Sequence, residues 1–300
     1  MAKGCGHAAG LHTGELPVLA SATVGARLWL LIEHAGPWAA YLDECRLPES
    51  IHALIDRASS LGIRCQLIRR PDHRKPDPGP FHVFVGYAVG DRPWLAEGHF
   101  DRPEDLDLRS LVDGVVPESC ILVSEPVFLV CTHAKRNACC ARIGLPLVRF
   151  LAEELPGGVW ETTHVGGDRY AANLVCLPHG LYYGSMSQAA AIAAANAYRS
   201  GEVVLDRYRG RAGLPEPSQA AEHFVRSHTG DLSVGGVAVE SSRSDGDATV
   251  CIVQQGGSAR FRVVVEPWMM VCPSSNGTFC SEEITTYRLA ELSPLAPVPA

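Results

Sequence analysis

The sequence has little positive charge for its size. Its 300 residues hold 26 Lys and Arg against 33 Asp and Glu, a formal net charge of −7. General nucleic-acid binding draws its affinity from cations that neutralise phosphates, so no nucleic-acid partner is expected. No apolar run approaches the roughly 20 residues needed to cross a bilayer, so no membrane partner is expected either. The N-terminus carries one lysine, Lys3, and Glu15 with several Gly and His interrupts any signal-like apolar core. A soluble, cytoplasmic protein is the expectation. No G-x-G-x-x-G follows a strand and no G-x-x-x-x-G-K-[ST] occurs, so nothing points to a dinucleotide or nucleotide site. No G-x-S-x-G supports a serine hydrolase. With 46% hydrophobic and 20% charged residues, the chain fits neither disorder nor a coiled coil, and its length predicts more than one domain.

Cysteine, by contrast, is plentiful. There are 11, an odd number, so they cannot all pair within the chain. Cys5, Cys45, Cys65, Cys120 and Cys251 stand apart and read as small buried hydrophobes. Cys131, Cys139 and Cys140 crowd together, which in a reducing compartment indicates metal or redox chemistry rather than a structural staple. Cys272 and Cys280 bracket an Asn276-Gly277 turn that lets their ends approach. With no histidine beside them they form half a zinc site, and they read as a redox-labile pair, a partner-facing loop or plain free thiols.

Apolar runs at Arg27–Glu33, Arg64–Arg69 and Phe81–Val89 predict strands. The spacing of Ile51, Leu54, Ile55 and Ala58 predicts a helix over Pro48–Leu61, stopped by Gly62, and a further helix opens within Leu106–Val112. The pattern then restarts. A strand at Glu125–Val130 runs into the cysteine cluster. A helix at Leu145–Leu155, a strand at Val159–Thr163, a hairpin over Asn173–Leu177 and Gly180–Tyr183, and helices at Gln188–Ser200 and Ser218–His228 follow. Leu232–Glu240, Ala248–Gln254 and Ala259–Glu266 read as strands between Ser/Asp/Gly turns. The expected fold class is α/β: an N-terminal α/β domain over 1–120, a thioredoxin-like domain over 121–230, and a small antiparallel β extension over 231–300 whose tail, from Ser293, is frayed.

Cys131-Thr-His-Ala-Lys-Arg-Asn-Ala-Cys139-Cys140 directly follows a strand. Its outer cysteines are too far apart for a C-x-x-C dithiol but can fold a loop over a metal centre. Lys135 and Arg136 would lower thiolate pKa and offset the negative charge of an iron–sulfur core. His164-Val-Gly-Gly-Asp168 also follows a strand, and its glycines allow a tight turn close to a bulky group. Arg169 and Asn173 come next, placed to hydrogen-bond around such a group. His133 reads as a basic surface residue and His179 as a solvated turn histidine.

The run CTHAKRNACCARIGLPL followed by VWETTHVGGDRYAANLVCLPHGLYYG resembles the sucrase/ferredoxin-like family. The resemblance covers most of the chain, including RLWLLIEHAGPW, and is sharpest from Cys131 to Gly184. It implies a thioredoxin-like ferredoxin domain with a [2Fe–2S] cluster, Cys131 and Cys140 holding one iron and His164 binding the other. The family's second histidine falls on Asp168, a harder, anionic donor that should lower the reduction potential. Three outcomes stay open: Asp168 ligates, Cys176 or Cys139 substitutes, or no cluster is bound.

The resemblance therefore implies an electron carrier rather than a catalyst, with an unidentified redox partner protein. The acidic balance suits a basic partner. A metal-free thiol–disulfide protein and a degenerate interaction scaffold are the alternatives. Sugar hydrolysis requires two carboxylates across a glycosidic bond. Glu153, Glu154, Asp105 and Asp107 read instead as ordinary solvated charges.

Overall fold

Apolar residues run almost without alternation through LWLLIE, RCQLIR and VFLVC, the pattern of strands covered on both faces. The computed structural model, which describes residues 17–75, 79–271 and 283–296, places these strands at the centre of one ten-stranded mixed sheet. Its first unit comprises β1 (Leu28–Glu33), α1 (Glu49–Ser60), β2 (Arg64–Arg69), β3 (Phe81–Tyr87), β4 (Trp94–Phe100), α2 (Leu108–Val112) and β5 (Ile121–Leu122). The second comprises β6 (Val127–Cys131), α3 (Ala138–Glu154), β7 (Val159–Thr162), β8 (Leu174–Leu177), β9 (Leu181–Tyr183), α4 (Gln188–Arg199) and β10 (Tyr208–Arg211).

The two units repeat one topology. In the first, β1 pairs in parallel with β2 and antiparallel with β3, which pairs antiparallel with β4. In the second, β6 pairs in parallel with β7 and antiparallel with β8, which pairs antiparallel with β9. The second unit thus has the strand–helix–strand–hairpin–helix order of a thioredoxin-like domain. The units join where β2 meets β7 antiparallel, Ile68 opposite Thr162 and Arg69 opposite Glu161.

Charge is buried at this seam. Glu161 is fully buried and accepts from Arg69 Nε and Nη2 at 3.0 and 2.9 Å, Arg74 Nη2 at 2.7 Å and Thr132 Oγ1 at 2.8 Å. The Arg69 guanidinium also lies 3.8 Å from the Trp38 ring centre. Thr132 follows Cys131 directly, so the seam reaches the cysteine loop.

A separate four-stranded antiparallel sheet forms the extension: β11 (Val237–Asp245), β12 (Ala248–Gln255), β13 (Ala259–Val271) and β14 (Glu283–Pro294). The helix α5 (Glu216–Thr229) packs Ala220, Ala221 and Val225 against it. Cys272 and Cys280 lie outside the described residues.

Several expected boundaries move. The helix expected from Leu145 begins at Ala138, because Asn137 caps it and the chain bends back into the cysteine cluster. Trp94–Phe100, Tyr208–Arg211 and Glu283–Pro294 are strands that periodicity did not reveal. In the first, Glu97, Gly98 and His99 break the apolar run. Ser293, expected to open a frayed tail, still pairs with Arg262. No helix among the described residues is long and apolar enough to cross a membrane.

His179 is not the solvated turn residue expected. Its Nδ1 accepts from the Tyr198 hydroxyl at 2.6 Å, which in turn accepts from the His179 backbone N–H at 3.1 Å. Burial, with Arg211 nearby, pulls its pKa down to about 4.

Two predictions follow from these contacts. Glu161→Ala strands Arg69 at the seam and should lower stability by about 3–5 kcal/mol in urea denaturation. A loss below about 1 kcal/mol would mean strand pairing alone holds the units. Because the unfolded chain binds the His179 proton more readily, stability should fall as pH drops from about 6.5 toward 4, by about 2–3 kcal/mol from this residue. His34, His133 and His223, also lowered by burial, add slope of the same sign. His179→Gln should flatten the curve by its share, and an unchanged slope would contradict this.

Candidate metal centre

Cys131 ends β6 with its side chain on the sheet face of Val127 and Leu129, together with Cys140. The chain turns through Thr132–Arg136 and starts α3 at Ala138. Asn137 is the N-cap, its Oδ1 accepting from the Cys139 N–H at 2.8 Å. The first helical turn carries Cys140 back over the strand end. Gly144, one turn on, must be glycine, since a Cβ there would overlap the Cys131 carbonyl oxygen. His164 follows β7, and Gly166 and Gly167, both at positive φ, turn the chain into a single helical turn at Asp168–Tyr170.

Two thiols and an imidazole therefore converge. His164 Nδ1 lies 4.0 Å from Cys131 Sγ and 3.8 Å from Cys140 Sγ, and the three ligand atoms lie within 4.8 Å of one another. Both cysteines are buried and His164 is half-buried. The pKa values of the two thiols shift in opposite directions. A hydrogen bond from Cys140, aided by His164, holds Cys131 well below the usual thiol range, while the same bond, with burial, holds Cys140 above it. One thiolate is thus prepared for metal capture.

Buried polar contacts fix the imidazole. His133 is buried, not a surface base. Its Nδ1 accepts from the His164 N–H at 3.1 Å and its Nε2–H donates to the Ala39 carbonyl at 2.6 Å. That pair of bonds requires the neutral ring, as does burial, which lowers its pKa. The Arg64 Nη2 donates to the His164 carbonyl at 3.3 Å.

Asn137 Nδ2 donates to Asp168 Oδ2, so one amide spans the cysteine loop and the carboxylate. Asn173 is buried, donating to the Gly167 carbonyl at 2.9 Å and accepting from Arg209 Nη1 at 2.7 Å. Arg169 lies over Tyr170 at 6.0 Å, and Lys135 is exposed on the cysteine loop.

Cys176 does not face the centre. It pairs opposite Phe128 and packs in the core beneath α3 and α4, on the other side of the sheet from Cys131. Cys139 stands beside Cys140 on the first helical turn. Of the carboxylates weighed for sugar hydrolysis, Asp107 caps α2 by accepting from Arg109 and Ser110 N–H. His133, Asn137 and Arg209 were missed as site residues. Only Asn137 leaves a trace in sequence, as a capping residue ahead of a helix.

The fold and the site define a thioredoxin-like unit that brings two cysteines and one histidine together at the end of its first strand. A family model described as sucrase/ferredoxin-like matches residues 23–210, and the chain belongs to that family. No curated protein and no solved structure matches it.

Asn137→Ala removes both the α3 cap and the Asp168 contact. It should cost about 0.5–2 kcal/mol of stability by thermal or urea unfolding. Asn137→Ser, which keeps a cap acceptor without placing a second carboxylate beside Asp168, should recover most of that loss. Equal losses in the two variants would contradict the capping role.

Proposed function

We propose that the protein is a one-electron carrier holding a [2Fe–2S] cluster on Cys131, Cys140 and His164, with Asp168 as the fourth donor. The observation that carries this reading is the convergence of two buried thiols and one imidazole on a thioredoxin-like unit of the sucrase/ferredoxin-like family. The donor set fits the group: soft thiolates suit iron–sulfur chemistry, and imidazole serves as ligand where a higher potential is wanted. When bound, such a cluster would supply one-electron chemistry.

The chain's own residues do the rest. Cys131 and Cys140 are buried and keep water from one side of the centre, while half-buried His164 offers an edge for electron exchange. His133 and Arg64 orient His164 through its backbone. Asn137 holds Asp168 by Oδ2, so Oδ1 would be the oxygen that ligates. Lys135, Arg136 and Arg169 flank this edge, so local charge favours an acidic patch on the partner, opposite to what the net charge alone suggests. In this reading residues 121–230 carry the electron, 1–120 support the site, and 231–300 form an extension.

A second reading is favoured by the Sγ to Nδ1 distances of 4.0 and 3.8 Å. A single tetrahedral ion with about 2.3 Å bonds to sulfur and about 2.0–2.1 Å bonds to nitrogen sets those atoms roughly 3.6 Å apart. That spacing suits one ion better than a cluster with His164 on the second iron, whose ligands stand farther apart, so the cluster would need the His164 loop to open slightly.

Protein purified without oxygen should be coloured and contain about two irons and two acid-labile sulfides per chain. Cys131→Ser and Cys140→Ser should each remove the colour. About one zinc without sulfide would favour the second reading, and iron-free protein that resists reconstitution would defeat the first.

A further inference from the structure

Arg209 lies on β10 as a fully buried guanidinium. Its Nε donates to Ser21 Oγ at 3.0 Å, its Nη1 to the Gly166 carbonyl at 3.1 Å and Asn173 Oδ1 at 2.7 Å, and its Nη2 to the Ser21 carbonyl. Every acceptor is neutral. Tyr170 and Tyr182 present their rings at 4.9 and 5.4 Å. Among the described residues no carboxylate forms an ion pair with it. The other large buried cation, Arg226, behaves as expected, pairing with Glu222 at 2.9 Å.

A buried cation without an anion is costly, since no water screens it. The backbone nevertheless makes room for this one. The pairing of β10 with β9 slips between Tyr208 and Gly210, so Arg209 is the residue at a bulge, a device that re-aims a side chain. The guanidinium presses on the back of the His164 loop, where a Cβ on Gly167 would overlap it. Cys131, at the end of β6, is among the groups whose charge acts on Arg209.

We propose that Arg209 is the fixed counter-charge of the centre, a positioning residue that holds the His164 loop and raises the reduction potential of the bound group. This rests on the proposed cluster. Uptake of one electron from a partner adds one negative charge to the centre, and a cation held in a dry interior stabilises that charge without reorganising.

The test compares midpoint potentials of the anaerobically purified wild type with Arg209→Lys, Arg209→Gln and Asn173→Asp. Gln removes the charge. Lys keeps it but loses the guanidinium fork. Asp at 173 neutralises Arg209 in place, which covers the case where substitutions at 209 do not fold. Gln and Asn173→Asp should both shift the potential downward, with Lys close to wild type. Equal shifts for Lys and Gln, or no shift with Asn173→Asp, would overturn the proposal.

If the wild type holds no iron, the cluster reading fails first. The positioning role is then judged in metal-free protein by amide hydrogen exchange across Gly166–Asp168, which Arg209 holds through the Gly166 carbonyl. Arg209→Gln should speed that exchange several-fold relative to wild type, Arg209→Lys less, and unchanged exchange would overturn the proposal.

Discussion

Contacts that cross from one unit to the other decide whether the thiols and the imidazole can share a centre. The His133 ring lies between the Ala39 carbonyl of the first unit and the His164 N–H of the second. Glu161, held by Arg69 and Arg74, in turn holds Thr132 beside Cys131. Both are polar bonds in a dry interior, where an unmade bond costs more than a made one contributes. The strand end carrying Cys131 and the loop carrying His164 therefore have few alternatives to the observed arrangement.

The repeated topology gives the first unit a different task from the second. Where Cys131 ends β6, Glu33 ends β1, and the nearest cysteine in the following segment, Cys45, is buried among Leu54, Ile55 and other core residues with its pKa raised by burial. The first unit brings no thiolate to the seam. It brings the Ala39 carbonyl, Trp38 and two arginines, a clamp rather than a second centre.

Much of this was legible from residue order. The α/β class and the antiparallel extension follow from unbroken apolar strands and tight turns, whereas the shared centre of the cysteine and His-Gly-Gly segments was implied by the family resemblance. The start of α3 was not legible, because Pro146, a residue suited to a first helical turn, sits in the helix interior. Short strands such as Tyr208–Arg211 carry charged residues that face inward, and periodicity reads them as loop. Arg209 shows the limit most clearly: a buried arginine differs from a solvated one only through Ser21 and Asn173, which are distant in sequence. The same holds for His133, whose partners lie 94 and 31 residues away.

The account's central claim is that His164 and the two sulfurs bind one metal centre. Pulsed electron paramagnetic resonance of the reduced protein tests it most directly, because it detects hyperfine coupling from a directly bound imidazole nitrogen. The account predicts coupling to one histidine nitrogen in the wild type, absent in His164→Cys even though the added thiolate keeps the metal bound. No nitrogen coupling in the wild type, or coupling that survives His164→Cys, would contradict it.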